Sequence, residues 1–426
     1  MTAGKSVTPN RRPRILFAWE LGENFGHASK ITEIVRAMNG RAKVTVAAQR
    51  PEAISVMAGG LDMRVGPAPF VPYRRPSGPD DMALAYSDNL AHLGWDNPGQ
   101  LLRLVEDWCA VFAREAPDLL VTQAAPTALL AARFAGGLAT ANFGSGFDIP
   151  PRTSPMPRFF HWMKDPDGTG ARRIADREKA VLATINTVLA AGNHAPLAVF
   201  ADVLRADRTY LATVPEIDQY APRARFEPDH PAYCGQLFTT TEGATCDWRR
   251  GRGGKRILAY LRVDRPETLP TLQALATLAP KHDIILTAPG IAPEMARQLT
   301  DTGVWVSEEP LRLDHLLPET EIGIGHASNG TSAAFLMSGL PQLCLPTQGE
   351  QTMVARTLAH NKLGLALVGG FSAGHVMEHV ARLIADKQIS ANCRATADRL
   401  SNDPAYANPA QRIADGLVAQ AIAVQS

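Results

Sequence analysis

Two histidines in this 426-residue chain stand where a histidine could do chemistry. His27 follows an apolar segment, Arg14–Glu20, and a glycine-rich turn, and residues with helical spacing come after it. A neutral imidazole can accept a proton at physiological pH, so a histidine at this place is a candidate general base. His326 follows a second apolar segment, Ile322–Gly325, and can donate a hydrogen bond to an anion.

The residues after His326 predict a binding site for a phosphate group. A helix predicted to begin near Gly330 adds partial positive charge at its N terminus. Backbone N–H groups can approach an anion where side chains are small, as they are at Ser328, Asn329, Gly330 and Thr331. The next apolar segment, Gln342–Leu345, leads to Glu350 and Gln351, whose side chains could hold hydroxyls. Together these features predict a pocket for a diphosphate attached to a sugar.

This order of residues resembles the carboxyl-terminal signature of the UDP-glycosyltransferase superfamily, whose members use nucleotide sugars and have the GT-B fold. The family consensus is His-Gly-Gly-x-Gly-Thr, an apolar helix, Gly-x-Pro, an apolar strand, Pro, and Asp-Gln. The matching residues here are His326–Thr331, Gly339–Pro341, Leu343–Pro346 and Glu350–Gln351. The resemblance implies that these residues bind the diphosphate and the sugar of the donor. Arg262, after a strand of the same domain, is either a further phosphate ligand or an ordinary surface arginine.

The resemblance also implies the architecture, an α/β chain of two Rossmann-like doubly wound domains that face a central cleft. Alternating strands and helices predict parallel sheets independently of it. The predicted divisions are a flexible tail (1–12), an acceptor domain (13–237), a linker (238–255), a nucleotide-sugar domain (256–404) and a terminal segment (405–426). Asn408 and Pro409 suit the N-cap and first residue of a terminal helix. The resemblance implies that this helix packs on the first domain.

For His27 the resemblance implies the role of general base, the alternative being a histidine that caps a helix or binds phosphate. The family often orients this histidine with an aspartate at the end of a later strand, where this chain has Gln123. An amide can orient an imidazole but cannot stabilise an imidazolium by its charge. The acidic residues in nearby loops that could replace the aspartate are Glu20, Glu23 and Asp148.

Two further departures from the family concern the nucleoside. The family commonly has a glutamate on the signature helix for the ribose, and this chain has Ala334 there. It also has an aromatic residue that stacks on the base, where this chain has Glu308. The resemblance implies inverting hexosyl transfer from a UDP- or TDP-type sugar, without a metal or another cofactor. The His375–His379 segment fits a zinc-peptidase pattern, but its apolar stripe predicts an amphipathic helix instead.

Composition sets limits on partners and location. A net charge of +1 gives no reason to expect a nucleic-acid partner, and the five scattered cysteines without a Cys-x-x-Cys suit a reducing cytoplasm. The longest apolar run, 127–143, is broken by Arg133 and two glycines, so no transmembrane segment is predicted. The acceptor could be a small molecule, a lipid or a glycan, and peripheral membrane contact stays open.

Two other functions fit the same signature. One is a nucleotide-sugar 2-epimerase with the same fold, which would need acidic and histidine groups around the sugar and no acceptor pocket. The other is a non-catalytic subunit that binds a nucleotide sugar or a partner protein. The departures at Gln123, Ala334 and Glu308 keep this last alternative open.

Overall fold

The computed structural model describes residues 11–22, 25–78, 81–248 and 253–425. Most of the predicted tail (1–10), the candidate acid Glu23 and part of the predicted linker (249–252) lie outside these ranges. Arg11, which was predicted to belong to the flexible tail, forms two hydrogen bonds of 2.8 and 2.6 Å to the carboxylate of Asp118. The first domain therefore holds the chain from this residue onward.

The chain divides into two compact units. The first comprises Met1–Thr213, Pro222–Leu237 and Asn408–Ser426, and the second comprises Val214–Ala221 and Phe238–Ala407. The prediction placed 214–221 in the first domain, but Val214 and Ile217 are buried in the hydrophobic core of the second unit. The Thr357 hydroxyl also donates to the Asp218 carbonyl at 3.2 Å. Burial of these side chains, which local sequence does not show, decides the boundary.

The first unit contains a six-stranded parallel sheet with the strand order β3-β2-β1-β4-β5-β6. Its strands are β1 (Arg14–Trp19), β2 (Lys43–Ala48), β3 (Met63–Pro67), β4 (Leu119–Gln123), β5 (Ala139–Gly144) and β6 (Arg208–Leu211). The central strands are apolar along nearly their whole length because helices cover both faces of the sheet. The carboxyl ends of all six strands lie along one rim, so the loops that follow them lie together there.

The helices of this unit pack on both faces of the sheet. They are α1 (Phe25–Met38), α2 (Pro51–Met57), α3 (Tyr86–Leu90), α4 (Pro98–Glu115), α5 (Pro126–Ala131), α6 (Thr169–Ala191) and, from the end of the chain, α14 (Pro409–Ala423). The apolar stripe of α14 shares a core with α1 and β1. Asn408 precedes α14 in a left-handed conformation, and its side chain makes no capping hydrogen bond. Only the place of the predicted cap is right, since its geometry differs.

The second unit repeats this plan with the strand order β12-β11-β10-β7-β8-β9. Its strands are β7 (Arg256–Tyr260), β8 (Asp283–Thr287), β9 (Trp305–Ser307), β10 (Ile322–Gly325), β11 (Gln342–Cys344) and β12 (Gly364–Ala366). Its helices are α7 (Leu269–Leu278), α8 (Pro293–Thr302), α9 (Leu313–Leu316), α10 (Asn329–Met337), α11 (Gly349–His360), α12 (Ala373–Ala385) and α13 (Lys387–Asn402). Within the ranges described, no helix is long and apolar enough to cross a membrane.

Both sheets reverse their strand order at one point, between β1 and β4 in the first unit and between β7 and β10 in the second. In open parallel sheets ligands bind beyond the carboxyl ends of the strands at such a reversal. His27 follows β1 and Gln123 ends β4, while Arg262 follows β7 and His326 follows β10. The topology therefore places the main predicted site residues at the ligand-binding edge of their own sheet.

Candidate functional site

His27 is the third residue of α1, and its ring is only partly enclosed. It stacks on the indole of Trp19, with ring centroids 5.3 Å apart and planes inclined by 21°. A Cβ atom added to Gly22 would lie 2.3 Å from Nε2, so only glycine leaves room for the ring in this position. Nδ1 has no exposed surface and no hydrogen-bond partner among the described residues. The imidazole is thus held by packing rather than by hydrogen bonds.

The surroundings of His27 make it a neutral base. Burial lowers the pKa of its imidazole to about 4, while Asp148 acts to raise this pKa and Lys30 acts to lower it. The Lys30 ammonium lies 3.8 Å from the Asp148 carboxylate, and both side chains are almost fully buried. At neutral pH the ring is therefore free to accept a proton. Sequence reasoning missed Lys30. It lies one helical turn after His27, and its burial is visible only in the fold.

Gln123 does not orient His27 by a hydrogen bond. Its side chain is fully buried, and neither its oxygen nor its nitrogen has a partner in the part of the chain that is described. Glu20 is engaged elsewhere, because its carboxylate accepts from the backbone N–H groups of Thr127 and Ala128 at 3.0 and 2.6 Å. Burial raises the pKa of Glu20 to about 7. Of the acids proposed to replace the missing aspartate, the structure brings Asp148 into the electrostatic surroundings of His27.

In the second unit, the turn between β10 and α10 presents backbone donors. Ala327 takes a left-handed conformation with φ of 60°, and the chain then enters the helix at Asn329. The N–H groups of Asn329, Gly330 and Thr331 belong to the first turn, so they have no carbonyl partner within the helix. No atom lies within 4 Å of a Cβ built on Gly330. Ser328 is exposed, and its hydroxyl donates to that of Thr331 at 3.1 Å.

His326 has a backbone partner at each of its ring nitrogens. Its Nδ1–H donates to the Leu345 carbonyl at 2.8 Å, and its Nε2 accepts from the backbone N–H of Arg262 at 3.0 Å. The ring is buried and joins the segments that follow β7, β10 and β11. Because backbone groups occupy both nitrogens, the predicted hydrogen bond from His326 to a diphosphate has no free donor. The ring shapes the loop that precedes α10, and its contact with a diphosphate stays a prediction.

Glu350 lies beside the first turn of α10. Its carboxylate accepts from the Asn329 side chain at 2.9 Å and from the Gln219 side chain at 3.2 Å. The oxygen of the Asn329 amide is buried without a partner in the described ranges, so it can accept a hydrogen bond from a bound hydroxyl. Gln219, which is fully buried, was missed because it comes from the segment 214–221, far away in sequence.

The two other predicted donor residues have local partners. The Gln351 oxygen accepts from the backbone N–H and the hydroxyl of Thr347 at 2.9 and 3.1 Å. Arg262 forms an ion pair with Asp264, with Nη2 and Oδ2 2.5 Å apart, and its side chain is exposed. Gln351 therefore fixes the loop that precedes α11. The guanidinium of Arg262 would have to exchange Asp264 for a phosphate to act as a ligand.

The nucleoside positions differ from the family pattern as the sequence indicated. Ala334 is buried in an apolar cluster with Phe335 and Leu340, and it lines a cavity of about 440 Å³. Glu308 and Glu309 are exposed. Ala334 therefore provides no acid for a ribose, and Glu308 provides no aromatic surface for a base.

Two sequence patterns that are typical of metal sites have side chains with hydrogen-bond partners in their own helix or loop. His375 bonds with Ser372 at the start of α12, and His379 Nδ1 donates to the His375 carbonyl at 2.8 Å. One Asp-x-Asp triplet, Asp165–Asp167, precedes α6, and the Asp165 carboxylate accepts from the backbone of Gly170 and Ala171. Within the residues described, no three His, Cys, Asp or Glu side chains form a group that could hold a metal ion. The predicted metal independence stays a prediction.

No family model and no curated protein matches the chain. Solved structures do match it over almost its whole length. The glycosyltransferase VinC, in complex with DTDP, is 16% identical with a TM-score of 0.65, over 96% of this chain and 99% of its own. The spinosyn rhamnosyltransferase SpnG, complexed with spinosyn aglycone, is 17% identical with a TM-score of 0.64, over 93% and 98%. The glycosyltransferase SnogD from Streptomyces nogalater is 18% identical with a TM-score of 0.60, over 96% and 99%.

The chain has the GT-B fold. The prediction of two doubly wound α/β domains is therefore confirmed, and the likeness in fold covers both units. At identities below one fifth the likeness concerns the fold and does not carry the activity over. In this GT-B chain, function has to be argued from the residues at the two sheet edges.

Proposed function

We propose that the protein is an inverting glycosyltransferase that moves a sugar from a nucleoside diphosphate to an acceptor hydroxyl. The observation that carries this proposal is the hydrogen bond between Asn329 and Glu350, 2.9 Å long. It joins the open first turn of α10 to a carboxylate. A diphosphate sugar needs this combination, namely backbone donors for the phosphates and an acceptor for the sugar hydroxyls close by.

The donor side would act by stabilising the leaving group. As the bond between the anomeric carbon and the phosphate oxygen breaks, negative charge grows on the diphosphate. The N–H groups of Asn329, Gly330 and Thr331 and the positive end of the helix dipole would stabilise that charge. These donors are fixed by the fold before the reaction, so little reorganisation is needed. The proposed reaction uses no metal ion for this purpose.

The acceptor side would act through His27. The oxygen of the acceptor hydroxyl bonds to the anomeric carbon, its proton passes to the imidazole, and the diphosphate leaves with the electron pair of the broken bond. One displacement of this kind inverts the anomeric centre. The neutral ring, with its pKa lowered to about 4, is ready to accept the proton at neutral pH. A base with so low a pKa is weak, so its protonated form needs a stabilising charge nearby.

The rim around His27 favours an acceptor with an apolar surface. Phe25 begins α1 after β1, and Phe70 and Tyr73 lie in the loop after β3; their side chains are 54%, 40% and 45% exposed. Exposed aromatic rings offer an apolar surface to an acceptor. The solved neighbours are described with DTDP and with an aglycone, which supports a thymidine-type donor and a non-sugar acceptor here. Among the acceptors open from sequence, we therefore favour a small molecule or a lipid.

A thermal-shift screen of UDP, TDP, GDP and ADP, each with its sugars, tests the donor side. A ligand at one hundred times its dissociation constant should stabilise the protein by about 2.7 kcal/mol. Gly330→Asp should still fold, because an acid in the first turn of a helix is favourable, but its charge should abolish the shift. Gly330→Asn is the matched neutral control and should only weaken the shift.

Transfer itself is tested by incubating the stabilising nucleotide sugar with small aromatic and lipid alcohols and analysing the products. A β-product from an α-donor, or the reverse, supports the inverting reaction. An epimerised donor with no transfer would favour the epimerase. A nucleotide shift without any turnover would favour a non-catalytic binding subunit.

A further inference from the structure

Asp148 and Lys30 form a buried ion pair, and the role inferred for this pair rests on the proposed function of His27 as a base. When the imidazole accepts a proton, a positive charge appears in a largely enclosed place. Burial disfavours that charge, so an anion nearby is needed to stabilise it. In the chymotrypsin-type triad a buried carboxylate has this role for its histidine. Protonated His27 needs such an anion in this chain as well.

Within the described ranges, three elements beside His27 carry the charged groups that bear on it. Glu20 follows β1, Lys30 lies on α1, and Asp148 lies in the loop after β5. The Glu20 carboxylate is bound by two backbone N–H groups of α5, and burial favours its neutral form. Gln123 at the end of β4 carries no charge. Of the described residues, Asp148 is therefore the anion left to act on the ring, while Glu23 lies outside the described ranges.

Asp148 is held in a fixed position. Its Oδ2 accepts from the backbone N–H of Ser145 at 2.8 Å and from the Ser145 hydroxyl at 2.9 Å. A Cβ atom on Gly144 would lie 2.5 Å from the Asp148 Cβ, so the absence of a side chain there makes room for the carboxylate. The carboxylate therefore has little freedom to turn away from its surroundings.

Lys30 connects this carboxylate to the helix that carries the base. It lies three residues after His27 on α1, so the two side chains share one face of the helix. Its ammonium is 3.8 Å from Asp148, and both side chains are less than one tenth exposed. The two groups form a buried ion pair. Asp148 attracts a proton on His27 and Lys30 repels it, so the two charges act on the ring with opposite signs.

We propose that Asp148 is the positioning acid that stabilises protonated His27, and that Lys30 opposes it by repelling a proton on the ring. Gln123, the amide at the end of β4, is then not needed for this purpose. The carboxylate takes no proton itself: the proton of the acceptor stays on the imidazole until the product leaves. Asp148 acts through His27 and does not touch the substrate.

The direct test is the titration of His27, followed by NMR of the imidazole protons in protein with isotope-labelled histidine. The His27→Gln variant assigns the signal. Asp148→Asn should move the midpoint to lower pH, and Lys30→Met should move it to higher pH, each by about one unit. Glu33→Gln removes one charge from the same helix at a more exposed place and should leave the midpoint unchanged. Midpoints of both variants within about 0.2 units of wild type, against that expected unit, would overturn the proposal.

Steady-state turnover of the same variants is a second test. Asp148→Asn should lower kcat by roughly tenfold to a hundredfold, a part of the factor that a general base supplies, and leave the donor KM unchanged. If His27→Ala abolishes transfer while Asp148→Asn keeps full kcat, this inference is wrong and the proposed function stands. If wild type transfers no sugar to any acceptor, the proposed function fails, while the titration still decides whether the pair acts on His27.

One of the single variants could unfold, because each leaves a buried charge without its partner. The double variant Asp148→Asn with Lys30→Met removes both charges together and avoids that problem. Its His27 midpoint should lie below that of Lys30→Met alone. Equal midpoints would show that Asp148 has no effect on the ring.

Discussion

The two units of the molecule place a histidine at equivalent points and use it differently. His27 follows β1 and His326 follows β10, each beside the reversal of strand order in its own sheet. Backbone groups satisfy both ring nitrogens of His326. His27 is held by stacking on Trp19, and its buried Nδ1 has no partner in the described part of the chain. One ring is part of the framework, and the other keeps its chemistry available.

The difference shows that position in a fold does not define a role. Both histidines precede a turn and a helix, and either could have met a ligand. What separates them is whether the loops of neighbouring strands come close enough to occupy the ring. In the second unit the loops after β7 and β11 do so, and the N–H groups of α10 are left to bind the anion. Substitution of each histidine tests this difference between the two units.

The largest effect is expected from His27→Ala. Loss of a general base should lower kcat by about 10²–10⁴, while the free energy of unfolding changes by about 1 kcal/mol or less, because no hydrogen bond of the ring is lost. Steady-state kinetics and urea unfolding of the same preparation measure both quantities. His27→Gln, which keeps a polar side chain of similar size, is the control. A full kcat in both variants would remove His27 from the chemistry.

The opposite pattern is expected from His326→Ala. The Arg262 N–H and the Leu345 carbonyl would each lose a partner in a buried place, so the free energy of unfolding should fall by about 2–4 kcal/mol. His326→Asn can still donate to Leu345 and should lose less. Urea unfolding gives the values. If His326→Ala were as stable as wild type but bound no nucleotide, His326 would be a direct ligand and the contrast with His27 would disappear.

Sequence could predict the fold and the edges of the sheets, because strands such as β1 and β10 are apolar throughout and are followed by glycine and polar residues. It could also place α10, whose small residues stand at the start of a helix. Sequence could not show how His326 is held, because its partners are backbone atoms of Arg262 and Leu345, which no residue type reveals. Gln219 was missed because it acts on a residue 131 positions away.

Gln219→Leu tests the donor half of the comparison at a smaller scale. A hydrogen bond to a charged group such as the Glu350 carboxylate contributes about 1.5–3 kcal/mol at most. Its loss should leave Glu350 less well positioned, so the donor KM should rise several-fold. The kcat of acceptor activation should change little, since His27 is not affected. Asn402→Leu, an exposed position on α13, is a control for the change in side-chain type. An unchanged donor KM would mean that Asn329 alone is enough to position Glu350.

The dependence of stability on pH again separates His27 from the rest of the protein. Its pKa is lowered from 6.5 to about 4, so between these values the unfolded chain takes up a proton that the folded protein does not. The free energy of unfolding should therefore fall as pH falls from 6.5 to 4, by at most about 1.4 kcal/mol per pH unit. Glu20, with its pKa raised from 4.5 to about 7, acts in the opposite direction: it destabilises the fold as pH rises from 4.5 to 7 and so offsets part of this change in wild type. Urea unfolding at several pH values, with wild type compared against His27→Gln, isolates the histidine contribution. Parallel curves for the two proteins would show that the ring is solvated, and its role as a buried neutral base would be lost.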